Sequence, residues 1–127
     1  MIKDEYGKWR LTSEDLRIDP DDVGMNDDCD KICTYLETHC NLDARLDMEH
    51  EPSSYVNLYA EFEPFTDGFE LYYYIHYANG DVSDQIFLDD FNESEKEAIM
   101  SLMREKGMDD LVKEILVENE PEWGDDD

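Results

Sequence analysis

SYVNLYAEF (residues 54–62) and FELYYYIHY (69–77) alternate apolar and polar side chains with a period of two, the pattern of strands that turn one face to a core. In the first, Val56, Leu58, Ala60 and Phe62 share a face, and Tyr55, Asn57, Tyr59 and Glu61 share the other. In the second, Phe69, Leu71, Tyr73, Ile75 and Tyr77 are set against Glu70, Tyr72, Tyr74 and His76, with a turn around Thr66-Asp67-Gly68 between the two runs. Asn79-Gly80 then predicts a type I′ hairpin, because that turn needs positive φ at both central residues and Asn-Gly tolerates it. A third strand, Asp81 to Leu88, pairs back with Ala78 opposite Asp81. This register sets Tyr77 against Val82, Tyr73 against Ile86 and Leu71 against Leu88, and it leaves Asp84 opposite Ile75 near the rim of the sheet.

Working outward, Asn92 followed by Glu95 has capping-box spacing, and Ala98, Ile99, Leu102 and Met103 make a helical stripe that Gly107 stops. A second helix starts near Asp109 with Leu111, Val112, Ile115 and Leu116 as its apolar set. On the other side, Leu42 to Ser53 reads as a connection or a weak turn of helix. Cys29, Ile32, Cys33, Leu36 and Cys40 recur at intervals of three and four, which predicts a helix from about Asn26 to His39 or Asn41, with Asp27, Asp28 and Asp30 in its first turn. Residues 3–22 hold apolar pairs at period two (Trp9 with Leu11, Leu16 with Ile18) and suggest one or two short strands before an Asp19-Pro20-Asp21-Asp22 turn. The expected fold is α+β: an antiparallel meander of three or more strands packed on two to three helices, forming one domain over residues 1–117, with a flexible acidic tail over 118–127.

Charge narrows the function classes. The 127 residues include 36 Asp and Glu against 10 Lys and Arg, a formal charge of −26. Such a chain is repelled by nucleic-acid phosphates and anionic lipid headgroups, so neither nucleic acid nor membrane is expected as a direct partner. With 40% hydrophobic and 12% aromatic residues the chain is nonetheless composed to fold. The N-terminus MIKDEYGKWR lacks a signal-peptide core, no apolar run reaches membrane-spanning length, and the three cysteines are a poor disulfide framework, so a cytoplasmic protein with reduced thiols is expected.

Candidate chemistry is sparse. Cys29, Cys33 and Cys40 with His39 and His50 offer zinc-type ligands, but without a CxxC knuckle and on the same stripe as Ile32 and Leu36, where core packing explains them. Cys33 as a nucleophile would need an activating histidine, and the surrounding acids raise a thiol pKa. The clusters at 19–22 and 27–30 do not follow the calcium-loop pattern. No phosphate loop or GxSxG elbow occurs, and His39, His50 and His76 complete no triad. The expectation is a non-enzymatic protein without metal or cofactor.

Two features remain. Residues 46–95 hold 13 acids and no Lys or Arg, and Tyr55, Tyr59, Tyr72 and Tyr74 lie on the strand face away from the main apolar set. Tyrosines among carboxylates suit a surface that holds Arg and Lys, unless a helix covers this face too and makes Tyr72 and Tyr74 core residues. A chain of this length has a diameter of roughly 36 Å, so its net charge amounts to one per about 1.4 Å. That approaches the one per roughly 1.7 Å of duplex DNA.

In length, charge, aromatic content and the acidic end at residues 118–127 the chain resembles the DNA-mimic inhibitors with which phages and mobile elements block host defence, of antirestriction and anti-CRISPR type. The likeness is one of composition and carries no residue-by-residue assignment. It implies an inhibitor whose partner is a basic nucleic-acid-binding protein, such as a CRISPR effector, a restriction enzyme or a nuclease. The residues expected to touch that partner are Asp67, Glu70, Tyr72, Tyr74, Asp81, Asp84, Asp89 and Asp90. Alternative readings are an immunity protein against one basic nuclease toxin, an acidic enzyme or metal-binding domain, and a merely halophilic surface. A homodimer is compatible with any of them.

Overall fold

The chain order in the computed structural model, which describes residues 1–28, 30–49 and 51–118, begins with a small ribbon of β1 (Ile2–Lys3) and β2 (Trp9–Arg10). A 3-10 turn at Ser13–Asp15 leads to β3 (Leu16–Arg17), and a second at Pro20–Asp22, capped by the Asp19 carboxylate, leads to β4 (Gly24–Met25). β5 (Ile32–Thr38), α1 (Leu42–Leu46), the long strands β6 (Tyr55–Glu63) and β7 (Gly68–His76), β8 (Ile86–Phe87), α2 (Glu93–Glu105) and α3 (Met108–Glu118) complete it. The main sheet runs β3-β5-β6-β7-β8, with β4 also paired to β5 and every pairing antiparallel. The architecture is α+β. The expected tail lies outside the described residues except for Glu118, which ends α3.

The segment expected as a cysteine helix is instead the strand β5. Ile32 and Leu36 are four residues apart, a spacing that brings two side chains to one side of a helix but equally to one face of a strand. Thr34 is buried between them, while Cys33 and Tyr35 point to the opposite face, so Cys33 shares no stripe with Ile32 and Leu36. The run Ile-Cys-Thr-Tyr-Leu is rich in residues that suit a pleated surface. Asp27 and Asp28 sit in the turn between β4 and β5 rather than in a helical first turn. Asn26 organises that turn: its Oδ1 accepts from the N–H of Asp30 and of Lys31, both at 3.1 Å, and its Nδ2 donates to the Asp30 carboxylate at 2.8 Å. Cys29 and His50 lie outside the described residues.

β6 and β7 keep the expected faces and pair along their full length, from Tyr55 opposite His76 to Glu63 opposite Gly68. The turn after β7 differs from expectation. Only Gly80 of the Asn-Gly pair has positive φ (94°), and Gly80 N–H donates to the Tyr77 carbonyl at 3.0 Å. This is a type I turn closed by a left-handed glycine, one residue longer than type I′. It places Asp81 opposite Tyr77 and Val82 opposite His76. Ser83, not Asp84, then faces Ile75 and bonds it twice, its N–H to the carbonyl at 2.9 Å and its Oγ accepting from the N–H at 2.8 Å. Asp84 and Gln85 together face Tyr74 as a bulge, which restores the expected pairing of Tyr73 with Ile86 and of Leu71 with Leu88. Regular strand is thereby confined to Ile86–Phe87 within the expected 81–88.

The core forms between one sheet face and the two long helices. Ile32, Leu36, Leu58, Ala60, Phe62 and Leu71 pack with Ile99, Met100 and Met103 of α2, Met108 and Ile115 of α3, and Leu11, Leu16 and Ile18 of the N-terminal region. Gly107, at φ 103°, lets the chain reverse between α2 and α3. Met108 fills a buried place, whereas Leu116, expected in the apolar set, is 42% exposed.

The most consequential interior contact is ionic. Asn92 and Glu95 form the expected capping box, but the Glu95 carboxylate is fully buried and has further partners. Its Oε2 accepts from Arg45 Nε at 2.6 Å and from the Leu11 N–H at 2.8 Å, and its Oε1 accepts from Arg45 Nη2 at 2.9 Å and from Arg10 Nη1 at 3.2 Å. Both guanidinium groups also donate to the Asp90 carbonyl, and Arg10 pairs with Asp4 at 2.8 Å. Burial alone would lower the Arg10 pKa, but Asp4, Asp90 and Glu95 outweigh it and raise it further, so the cation is permanent.

Two expectations follow. Glu95→Ala strands two buried guanidinium groups, and removing one partner of such a set costs about 3–5 kcal/mol; the urea midpoint should fall accordingly. The Asp4 carboxyl is lowered chiefly by its bond to Arg10, and Asp15 and Asp90 are lowered because their hydrogen bonds and ion pairs outweigh burial. Carboxyls held below their unfolded value of about 3.9 stabilise the fold above that pH and cease to do so as pH falls through their folded values. Thermal midpoints should therefore drop between about pH 4 and pH 2, less steeply in Asp4→Asn.

Candidate protein-binding surface

The sheet face opposite the helices carries the tyrosines. Register places Tyr35 of β5 opposite Tyr59 of β6, Tyr59 opposite Tyr72 of β7, and Tyr72 opposite Phe87 of β8, so one row of four rings crosses the sheet. Their centroids are 5.5, 5.5 and 6.1 Å apart in turn, with Tyr59 and Tyr72 near parallel at 12°. Tyr74 stands edge-on to both, at 5.7 Å from Tyr59 and 6.0 Å from Tyr72, and Tyr55 stacks on His76 at 4.6 Å. Cross-strand aromatic pairs of this kind stabilise a sheet by their own contact. Tyr35, Tyr59, Tyr72 and Tyr74 are half-buried, Tyr55 and Phe87 are exposed, and none of them joins the core cluster, so Tyr72 and Tyr74 are not core residues.

Two residues along each strand, on the same face, lies a row of different character: Cys33, Glu61 and Glu70. Like charges directly opposite destabilise a strand pair, and Lys31 relieves this one with its ammonium 3.5 Å from Glu61 Oε1. Glu61 is the main cause of the raised Lys31 pKa. The Cys33 thiol donates to Glu61 Oε2 at 3.4 Å, and burial together with that carboxylate pushes its pKa up to about 12. Burial also raises the hydroxyls of Tyr35, Tyr59 and Tyr72, so the ring row stays neutral at ordinary pH. Over the ring row is an open basin of about 530 Å³ lined by Asp22, Cys33, Thr34, Tyr35, Asn57, Tyr59 and Tyr72, and Glu61 and Glu70 lie beyond its edge.

Of the residues expected to touch a partner, Glu70, Tyr72 and Tyr74 come together on this face. Asp67 sits exposed in the β6–β7 turn, at φ 58°, and Asp89 follows β8 toward the same end of the sheet, beside Phe69 and Glu70. Asp81 and Asp84 are exposed at the opposite end, where the Asp81 N–H donates to the Asn79 side chain. Asp90 is engaged within the chain, 3.1 Å from Arg10 and 3.3 Å from Lys8. Tyr35, Phe87 and Asp22 complete the surface and were not anticipated. Reading residues 32–38 at period two would have placed Tyr35 beside Tyr59.

Among the described residues no three His, Cys, Asp or Glu side chains gather as metal ligands, and no helix is long and apolar enough to cross a membrane. Compared with known proteins, the chain matches no family model, no curated protein and no solved structure.

A thiol held protonated by burial and a carboxylate is a poor nucleophile. Alkylation of Cys33 by iodoacetamide at pH 8, followed by peptide mass spectrometry, should run at least ~100-fold slower in the folded protein than in urea.

Proposed function

We propose that the protein is an acidic, non-enzymatic inhibitor that occupies the nucleic-acid-binding surface of a basic protein, as the DNA mimics of antirestriction and anti-CRISPR type do. The observation that carries this reading is where the charge lies. Among the described residues the buried charged side chains are Arg10, Arg45, Asp15 and Glu95, two cations and two carboxylates that cancel. The formal charge of −26 is thus left to the remainder of the chain, which has few cations to offset it. Solubility is satisfied by a net charge of about 2–8 for a small domain, and the excess destabilises the compact state by self-repulsion. A cationic partner offsets that cost, and the aromatic and carboxylate rows offer it a shaped contact in addition to long-range attraction.

The test is capture from cells that carry restriction and CRISPR systems, followed by competition between this protein and labelled duplex DNA for the captured protein. The expected result is displacement of the DNA, with affinity falling about tenfold or more between 50 and 500 mM salt. Affinity indifferent to salt, or inhibition that leaves the DNA bound, would count against mimicry. Capture of a single nuclease toxin and nothing else would favour an immunity protein.

A further inference from the structure

We infer that the basin over Tyr35, Tyr59 and Tyr72 is an arginine clasp, which takes the guanidinium group of a partner's arginine against the rings and pairs it with the carboxylates of the neighbouring row. The inference rests on the proposed function for its partner, a basic protein, and adds which side chain is selected and where. Four observations converge on it. The rings form a continuous row within 5.5 Å of one another and border an open concavity, rather than being closed over by a helix. A planar, weakly hydrated guanidinium packs on aromatic rings better than a compact, strongly hydrated ammonium does. Glu61 and Glu70 lie two residues along their strands from Tyr59 and Tyr72, about 7 Å away and on the same face. A side chain lying across the rings can therefore present its forked donors to a carboxylate.

The chain itself shows what the carboxylate row accepts. Lys31 places its ammonium on Glu61, yet it remains one-third exposed and can swing aside, and none of the described ion pairs involves the exposed Glu70. Lys31 is thus a resident cation that competes with an incoming one. Removing it should strengthen capture, an effect opposite to that of removing a ring.

The probes are hexa-arginine and hexa-lysine, equal in charge, titrated into the full chain at low salt and followed by the ring-proton NMR signals of the tyrosines and by calorimetry. The expected result is that hexa-arginine binds at least threefold more tightly than hexa-lysine and shifts the Tyr35, Tyr59 and Tyr72 rings. Tyr59→Leu should abolish that preference, and Lys31→Gln should tighten both peptides. Equal affinity for the two peptides, ring shifts confined to other tyrosines, or a preference that survives Tyr59→Leu would overturn the clasp. If Tyr59→Leu fails to fold, the peptide preference and ring shifts of the native chain decide. Because these probes involve no inhibited partner, loss of the clasp leaves the proposed inhibition standing, and failure of DNA competition leaves the clasp measurable.

Discussion

Two guanidinium groups converge on one carboxylate inside the protein, and the remaining architecture is arranged around that meeting. Glu95 starts α2, Arg10 ends the N-terminal ribbon and Arg45 sits in the short α1, so a single buried cluster fixes one helix, one strand and one connecting turn relative to the sheet. The same carboxylate caps its own helix and accepts the Leu11 N–H, which leaves it no unsatisfied lone pair to bury. Ion pairs closed off from water repay their desolvation only with this degree of hydrogen bonding. In a chain with few cations, the placing of two of them here is a selective use of a scarce resource.

The cluster also determines what the outside looks like. With interior charge balanced, the outer surface must carry the imbalance, and added salt acts on it in two opposing ways. Screening relieves repulsion among carboxylates and so favours the compact state, while it weakens attraction to any cationic partner. On the open sheet face, neutral rings separate the Cys33–Glu61–Glu70 row from the rest, and this spacing lets a largely acidic sheet stay paired.

Much of this was legible in the sequence because the relevant signals were local. Alternation in residues 54–77 depends on burying one face of each strand, and the capping box depends on three residues' spacing; both appear as expected. The strand at 32–38 reads as a helix in the sequence because Ile32 and Leu36 satisfy helical and strand periods at once, and the acids ahead of them resemble a helix start. The true arbiter was Thr34 and Tyr35, buried and outward in alternation. Turn type after Tyr77 hinged on a single residue of loop length, which the Asn-Gly pair alone does not set. The second role of Glu95 was invisible for a different reason: Arg10 and Arg45 are its partners only through tertiary contact, and no spacing along the chain announces it. For the candidate surface, the tyrosines of two strands, β6 and β7, could be read directly, whereas the row became continuous only once β5 joined the sheet.

The Glu95 cluster spans 85 residues to Arg10 and 50 to Arg45. Closing loops of that size costs chain entropy that only the finished contact repays. A chain still growing on the ribosome has made both arginines and β3 to β7 well before residue 95 emerges, and the last strand, β8, ends only eight residues ahead of it. Until then the two guanidinium groups lack their carboxylate and the core lacks α2 and α3 to cover it. Residues 93–118 thus supply at once the carboxylate that closes the cluster and the two helices that cover the sheet.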